Sequence, residues 1–222
     1  MVTYTDASLV EAEIRADQSF STSTIPTLAQ LNVWIGEESA QIDRDAGMSF
    51  ASTAYTDTID YDGDTDILLL QHAPLISITN VLYSSSAIGT TSYALSDTKV
   101  ENTDYVVYDK TGEIVILTNN WKPKEGRKRI QINYTAGYAT TPEVIQKLAT
   151  KMVAKRVLDS LMTSNTNNGD VGGSVSVGSI SIVDPADFGI GNYKQLSTDI
   201  DMLKADTSKG FGVYRYGMYY TG

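Results

Sequence analysis

Helical and strand-like spacings are sorted along this chain rather than interleaved, and that order most narrows what it can fold into. Asp6 is placed to cap a short first helix with Leu9, Val10 and Ile14 on one side. Residues 17–26 are rich in Ser and Thr and read as a loop. Thr24 or Thr27 then caps a longer helix whose face is Leu28, Leu31, Ile35 and Ile42, with Trp34 beside it and Gly47 to end it. The middle switches character. Ile67-Leu68-Leu69-Leu70 is a short buried run, and Tyr105–Tyr108 and Glu113–Leu117 read as strands around the turn at Asp109–Gly112. Arg129–Tyr134 alternates cleanly until Gly137. Pro142 opens the strongest helix, with Val144, Ile145, Leu148, Met152, Val153 and Val157 on its apolar face. Asn, Gly and Ser crowd 163–179, a flexible linker by composition. A strand over Val175–Ile182 and a helix around 189–205 follow, then an aromatic, Gly-broken tail.

The order predicts an α+β protein: a helical bundle core, a strand-rich middle region and an extended C-terminal arm. The expected layout is a core over 1–162, with helices at 6–17, 27–46 and 142–161 and a β region at 50–135. The linker at 163–179 then leads to a strand, helix and arm over 180–222.

Composition excludes several kinds of chemistry. There is no cysteine, hence no disulfide, zinc–thiolate site or thiol nucleophile. The single histidine, His72, is too few for a multi-histidine metal site. Apolar runs fall short of the roughly 20 residues that span a bilayer, so no membrane partner is expected. The Met1–Asp6 start has neither a basic nor an apolar stretch, which predicts no signal peptide and synthesis in the cytoplasm. The net charge of −10 hides a segregation. Residues 122–156 hold nine basic side chains against Glu125 and Glu143, so this stretch is +7 and the rest of the chain carries −17.

The remaining motifs each admit a plain and a functional reading. Asp60, Asp62, Asp64 and Asp66 alternate like calcium ligands, but the glycine is misplaced and Gln71 stands where a bidentate Glu belongs. An acidic turn between strands accounts for them. His72 with Asp66 resembles a general-base pair, but nothing resembles a nucleophile elbow, and a histidine at a strand end suffices. No cofactor and no enzymatic activity are expected. The glycines at 169, 172, 173 and 178 do not form a phosphate loop. Lys122, Lys124, Arg127, Lys128 and Arg129 are either a charged hairpin tip or, with the stripe Lys147, Lys151 and Lys155, a surface for a neighbouring subunit or for DNA phosphates. Phe211, Tyr214, Arg215, Tyr216, Tyr219 and Tyr220 either fold back on their own domain or dock into a partner.

Taken together, these residues resemble a family. Tyr4-Thr5-Asp6, Ser21–Thr27, Val33-Trp34-Ile35 and Ala40–Asp43, then Ile132–Tyr138 with its Tyr-x-Ala-Gly-Tyr, Pro142 and the helix to about Leu161, resemble the head–tail connector (adaptor) proteins of tailed phages and related archaeal viruses. The likeness covers roughly 1–160; the strand-rich 50–118 and everything after 163 depart from it. It implies a structural virion protein of the neck, assembled in the host cytoplasm. Such proteins form a homo-oligomeric ring, usually a dodecamer, between portal and tail, with a bore that passes DNA. The implied partners are the portal, the chain itself, tail or neck proteins, and DNA in passing. The alternatives are another neck or tail-completion role, or a β-rich module binding a glycan or a metal.

Overall fold

The computed structural model describes residues 2–16, 19–85, 97–166, 176–177, 180–181 and 190–205. Two compact units divide the chain. Of the described residues, one unit holds those up to Gly47 and those from Thr141 to Ala205; the other holds those from Met48 to Thr140.

The first unit is built on four helices: α1 (Ala7–Ile14), α2 (Leu28–Ala46), α3 (Glu143–Thr166) and α4 (Ile190–Ala205). Asp6 caps α1 by accepting from the Leu9 amide at 3.0 Å. Thr27, rather than Thr24, caps α2. Its hydroxyl accepts from Gln30 N while the Gln30 side chain accepts from Thr27 N, a reciprocal box that satisfies two otherwise orphaned amides. Thr24 instead organises the loop, accepting from Ser21 N and donating to Pro26 O. Gly47 ends α2 at φ +70°. Helices α1, α2 and α4 each pack on α3. They bury Val10 and Ile14 of α1, Leu31, Ile35 and Ile42 of α2, Ile145, Leu148, Val153, Val157 and Leu161 of α3, and Leu196 and Ile200 of α4. Tyr4 is buried beside them, donating its hydroxyl to Asp43 and its amide to Ser39 Oγ, and Thr5 and Thr150 share a hydrogen bond of 2.7 Å.

The described residues of the second unit are mainly strand and turn. A four-stranded antiparallel sheet runs β1–β7–β3–β4, with β1 Thr53–Tyr61, β7 Gly126–Ala136, β3 Leu75–Tyr83 and β4 Thr98–Lys99. A three-stranded antiparallel sheet runs β2–β6–β5, with β2 Ile67–Leu69, β6 Glu113–Ile116 and β5 Tyr105–Tyr108. Both contribute to one cluster: Tyr61, Leu75, Val81, Ile130, Ile132 and Tyr134 from the first, Leu68, Tyr105, Ile114 and Ile116 from the second, with Leu70 and Trp121 from the connections. Truncating a fully buried member such as Ile114 to Ala removes about 2–5 kcal/mol.

This arrangement corrects the expected fold class. A helical bundle is not the core of the protein. The described residues form four helices, two antiparallel sheets of four and three strands and one two-stranded pair; α1 is barely two turns long, and the strands of the second unit enclose a core of their own. The sequence misleads because a helix displays its apolar stripe over many residues. A strand of three or four residues shows only one or two inward side chains, and its burial depends on partners far along the chain.

Boundaries shift at α3, which runs through Thr166 where a linker was expected from 163. Val177 and Ile180 pair across β8 (Ser176–Val177) and β9 (Ile180–Ser181), whereas Val175 and Ile182 lie outside the described residues. The arm residues Phe211, Tyr214, Arg215, Tyr216, Tyr219 and Tyr220 also lie outside them. Among the described residues no helix is long and apolar enough to cross a membrane.

Candidate assembly surfaces

The Tyr-x-Ala-Gly-Tyr segment acts as a clasp at the end of β7. Tyr134 is buried and donates its hydroxyl to Asp57 Oδ2 at 2.9 Å; the Gln71 amide donates to the same oxygen at 2.8 Å. Burial, reinforced by the Asp57 carboxylate, raises the Tyr134 pKa, so the phenol stays protonated and donates. Gly137 sits at φ +106°, and a Cβ there would drive into the Ala51 carbonyl, with the carbonyl carbon only 2.8 Å away. Its amide donates to Pro74 O at 2.9 Å. Tyr138 then stacks on Phe50 with ring centroids 6.0 Å apart. The motif therefore joins three separate stretches of the strand unit, around residues 50, 57 and 74.

His72 is part of this construction. Its ring stacks on Tyr55 at 3.8 Å and 16°, and Tyr55 lies against Tyr134 at 5.7 Å. Asp57, which sequence reasoning missed, is the buried acid of the region. Nothing local marks it, because its partners lie 14 and 77 residues away.

The basic segment 122–129 divides in two. Lys122, Lys124, Arg127 and Lys128 are exposed. Arg129 is buried, donating from Nε to Glu125 O and from Nη1 to Ser84 O, which ties the start of β7 to the end of β3. Lys99, distant in sequence, joins the cations: its ammonium lies 5.6 Å from the Tyr83 ring and 5.4 Å from that of Trp121, and the Tyr83 hydroxyl accepts from Lys124 N.

The same end carries the acidic turn. Tyr61 pairs with Gly126, the Lys128 amide donates to Asp60 Oδ1 at 2.7 Å, and Gly63 faces Glu125. Asp62 is occupied by the turn itself, accepting from Thr65 N, Asp64 N and the Thr65 hydroxyl, and these bonds hold its carboxyl below the usual range. Burial raises the Tyr61 phenol, and Asp66, Asp62 and Asp64 push it further. Asp64 and Asp66 are exposed. Among the described residues no group of three His, Cys, Asp or Glu side chains could hold a metal. Four exposed cations thus stand beside the carboxylates of Asp60, Asp62, Asp64, Asp66 and Glu125, a surface of mixed sign.

The lysine stripe of α3 is largely engaged within its own unit. Lys147 pairs with Glu143 at 2.6 Å, and that contact holds the Glu143 carboxyl low. Lys151 lies between Glu13 of α1 at 2.7 Å and Asp199 of α4 at 3.1 Å. Burial opposes its charge, but the hydrogen bonds to Glu13 and Asp199 outweigh that, and its pKa is raised. Asp199 is lowered by Gln195 and then by Lys151. Lys155 pairs with Asp159 at 3.2 Å. The next residue, Arg156, reaches Glu37 and Glu38 of α2 and covers the Trp34 ring at 5.3 Å. The spacing of four does put the lysines on one face, and at Lys151 that face is turned to α1 and α4.

No protein-family model and no curated protein matches the chain. Several solved structures are similar to it. The neck of an empty gene transfer agent (GTA) particle computed with C6 symmetry aligns at 14% identity, covering 77% of this chain and 82% of that one, with a TM-score of 0.46. The neck of a native GTA particle computed with C12 symmetry aligns at 17% identity, covering 66% and 75%, with a TM-score of 0.44. The virion of a native GTA particle aligns at 14% identity, covering 75% and 79%, with a TM-score of 0.48.

Proposed function

We propose that this chain is a non-enzymatic structural subunit of the neck of a tailed virus particle, forming a ring adaptor between portal and tail. The observation that carries the reading is the sequence resemblance to head–tail connectors, whose most specific piece is Tyr134–Tyr138 followed by Pro142 and a long helix. In the fold those residues have defined work. Tyr134, Gly137 and Tyr138 clasp the end of β7, and the helix that follows is the one on which α1, α2 and α4 pack.

In this reading the mixed-sign end of the strand unit, with Lys122, Lys124, Arg127 and Lys128 beside Asp60–Asp66 and Glu125, faces a neighbouring subunit or the portal. Interspersed charges of both signs suit orientation-specific docking between proteins. Lys147 is the most exposed cation of the α3 stripe and is the one available to passing DNA. The arm at 207–222 docks on the portal or on a neighbour.

The test is to mix the purified protein with its cognate portal and follow the mass by analytical ultracentrifugation. A complex holding many copies of the chain per portal supports the reading. A protein that stays monomeric, alone and with the portal, overturns it. Some adaptors would assemble only on the portal, so both arms are needed.

A further inference from the structure

The sheet β2–β6–β5 buries Leu68, Ile114 and Ile116 on its inner face and leaves its outer face apolar. The registers place Ile67, Val115 and Val106 in one row and Leu69, Glu113 and Tyr108 in the next. Ile67, Leu69 and Tyr108 are 48%, 56% and 54% exposed. An antiparallel sheet with one solvated face ordinarily alternates apolar inward and polar outward. Here five of the six outward side chains are apolar and the sixth is a carboxylate, which makes no ion pair or hydrogen bond among the described residues. Such a patch marks an interaction surface.

The chain also contains a segment of matching character. From Phe211 to Tyr220 eight of ten residues carry large side chains, broken only by Gly212 and Gly217, so an extended segment here has bulk on both of its sides. Extended, it would present Phe211, Val213, Arg215 and Tyr219 to one side: one cation among apolar groups, against one carboxylate among apolar groups. The charges agree beyond that pair. Residues 206–222 carry Lys209 and Arg215 against Asp206, whereas the sheet is preceded by Asp64 and Asp66 before β2, the turn after β5 being balanced by Asp109 and Lys110.

We propose that the outer face of β2–β6–β5 receives the aromatic arm, residues 211–220, of a second copy of the chain, with Arg215 over Glu113. This rests on the ring reading above. In a closed ring every subunit gives an arm and offers a face, so one heterologous contact repeated around the axis leaves neither exposed. Aromatic side chains suit the task because they cover a large area at little entropic cost.

The absence of cysteine makes a direct test possible. Leu69→Cys and Val213→Cys proteins, mixed in equal amounts with the portal and oxidised, should give a disulfide-linked dimer of the two variants. Ile25→Cys, also exposed but in the other unit, should not link to Val213→Cys. Glu113→Arg should lower the cross-linking yield about tenfold, and adding Arg215→Glu to the arm-bearing partner should restore it. Equal linking by the Ile25→Cys control overturns the inference, as does a chain carrying both Leu69→Cys and Val213→Cys that forms its disulfide only internally while the mixed single variants do not link. Rings that assemble without the cross-link overturn it while leaving the proposed function standing. Failure to assemble on the portal overturns both.

Discussion

Replacing Gly137 by Ala should unfold the strand unit far more readily than the gain of one methyl group suggests. Two penalties combine. At φ +106° an alanine is held in a backbone region that L-residues rarely adopt, worth about 1–3 kcal/mol. Its methyl would also collide with the Ala51 carbonyl, and that backbone can retreat only by disturbing the Phe50–Tyr138 stack, an overpacking cost of about 1–3 kcal/mol. The total is about 2–6 kcal/mol. Gly63→Ala is the control within the same unit. Its φ of +90° carries the first penalty, but the nearest atom to its added methyl is Glu125 Cβ at an ordinary 3.5 Å, so about 1–3 kcal/mol is expected. The assay is urea denaturation followed by fluorescence. Trp34→Phe leaves Trp121, a member of the strand core, as the sole tryptophan reporter. With a urea m-value of about 2 kcal/mol/M, the Gly137→Ala midpoint should fall by about 1–3 M, and more than the Gly63→Ala midpoint. Equal shifts for the two would refute the collision argument.

Other outcomes follow from the same geometry. Tyr134→Phe leaves buried Asp57 with one donor fewer and should cost about 1.5–3 kcal/mol by the same fluorescence assay. Lys151→Met should destabilise the helical unit by about 1 kcal/mol, discounted because its side chain is 21% exposed, with the loss read from helical circular dichroism on heating. The Lys151 pKa is raised on folding, so its stabilisation is complete below the unfolded value, about 10.4, and disappears as the pH climbs through the folded one. The wild-type helical unit should therefore weaken in strong alkali, and Lys151→Met should remove that limb. Asp199 is lowered, so its contribution is present above the unfolded value, about 3.9, and fades as acid approaches the folded value; Asp199→Asn should flatten that acid limb in the same heating experiment.

What the sequence disclosed tracks how local each cause is. Thr27, Gly47 and Pro142 act on their own neighbours in the chain, so both ends of α2 and the start of α3 were legible. The end of α3 was not, since Met162–Thr166 add no apolar periodicity. The strands around Asp109–Gly112 were visible from their alternation and turn, whereas two-residue β4 carries too little pattern to register. The lysine stripe was evident, but its acidic partners Glu13 and Asp199 sit on other helices, and only the fold brings them to Lys151. Charge segregation along the chain likewise overstated segregation in space, because the Tyr61–Gly126 pairing sets the acidic turn beside the basic segment.

Cryo-electron microscopy of the protein bound to its portal addresses the neck assignment at its root. The expected image is a closed ring of this chain, coaxial with the portal, with its bore aligned to the portal channel. Density for isolated copies scattered on the portal's flank, or a portal left bare at saturating protein, would contradict it.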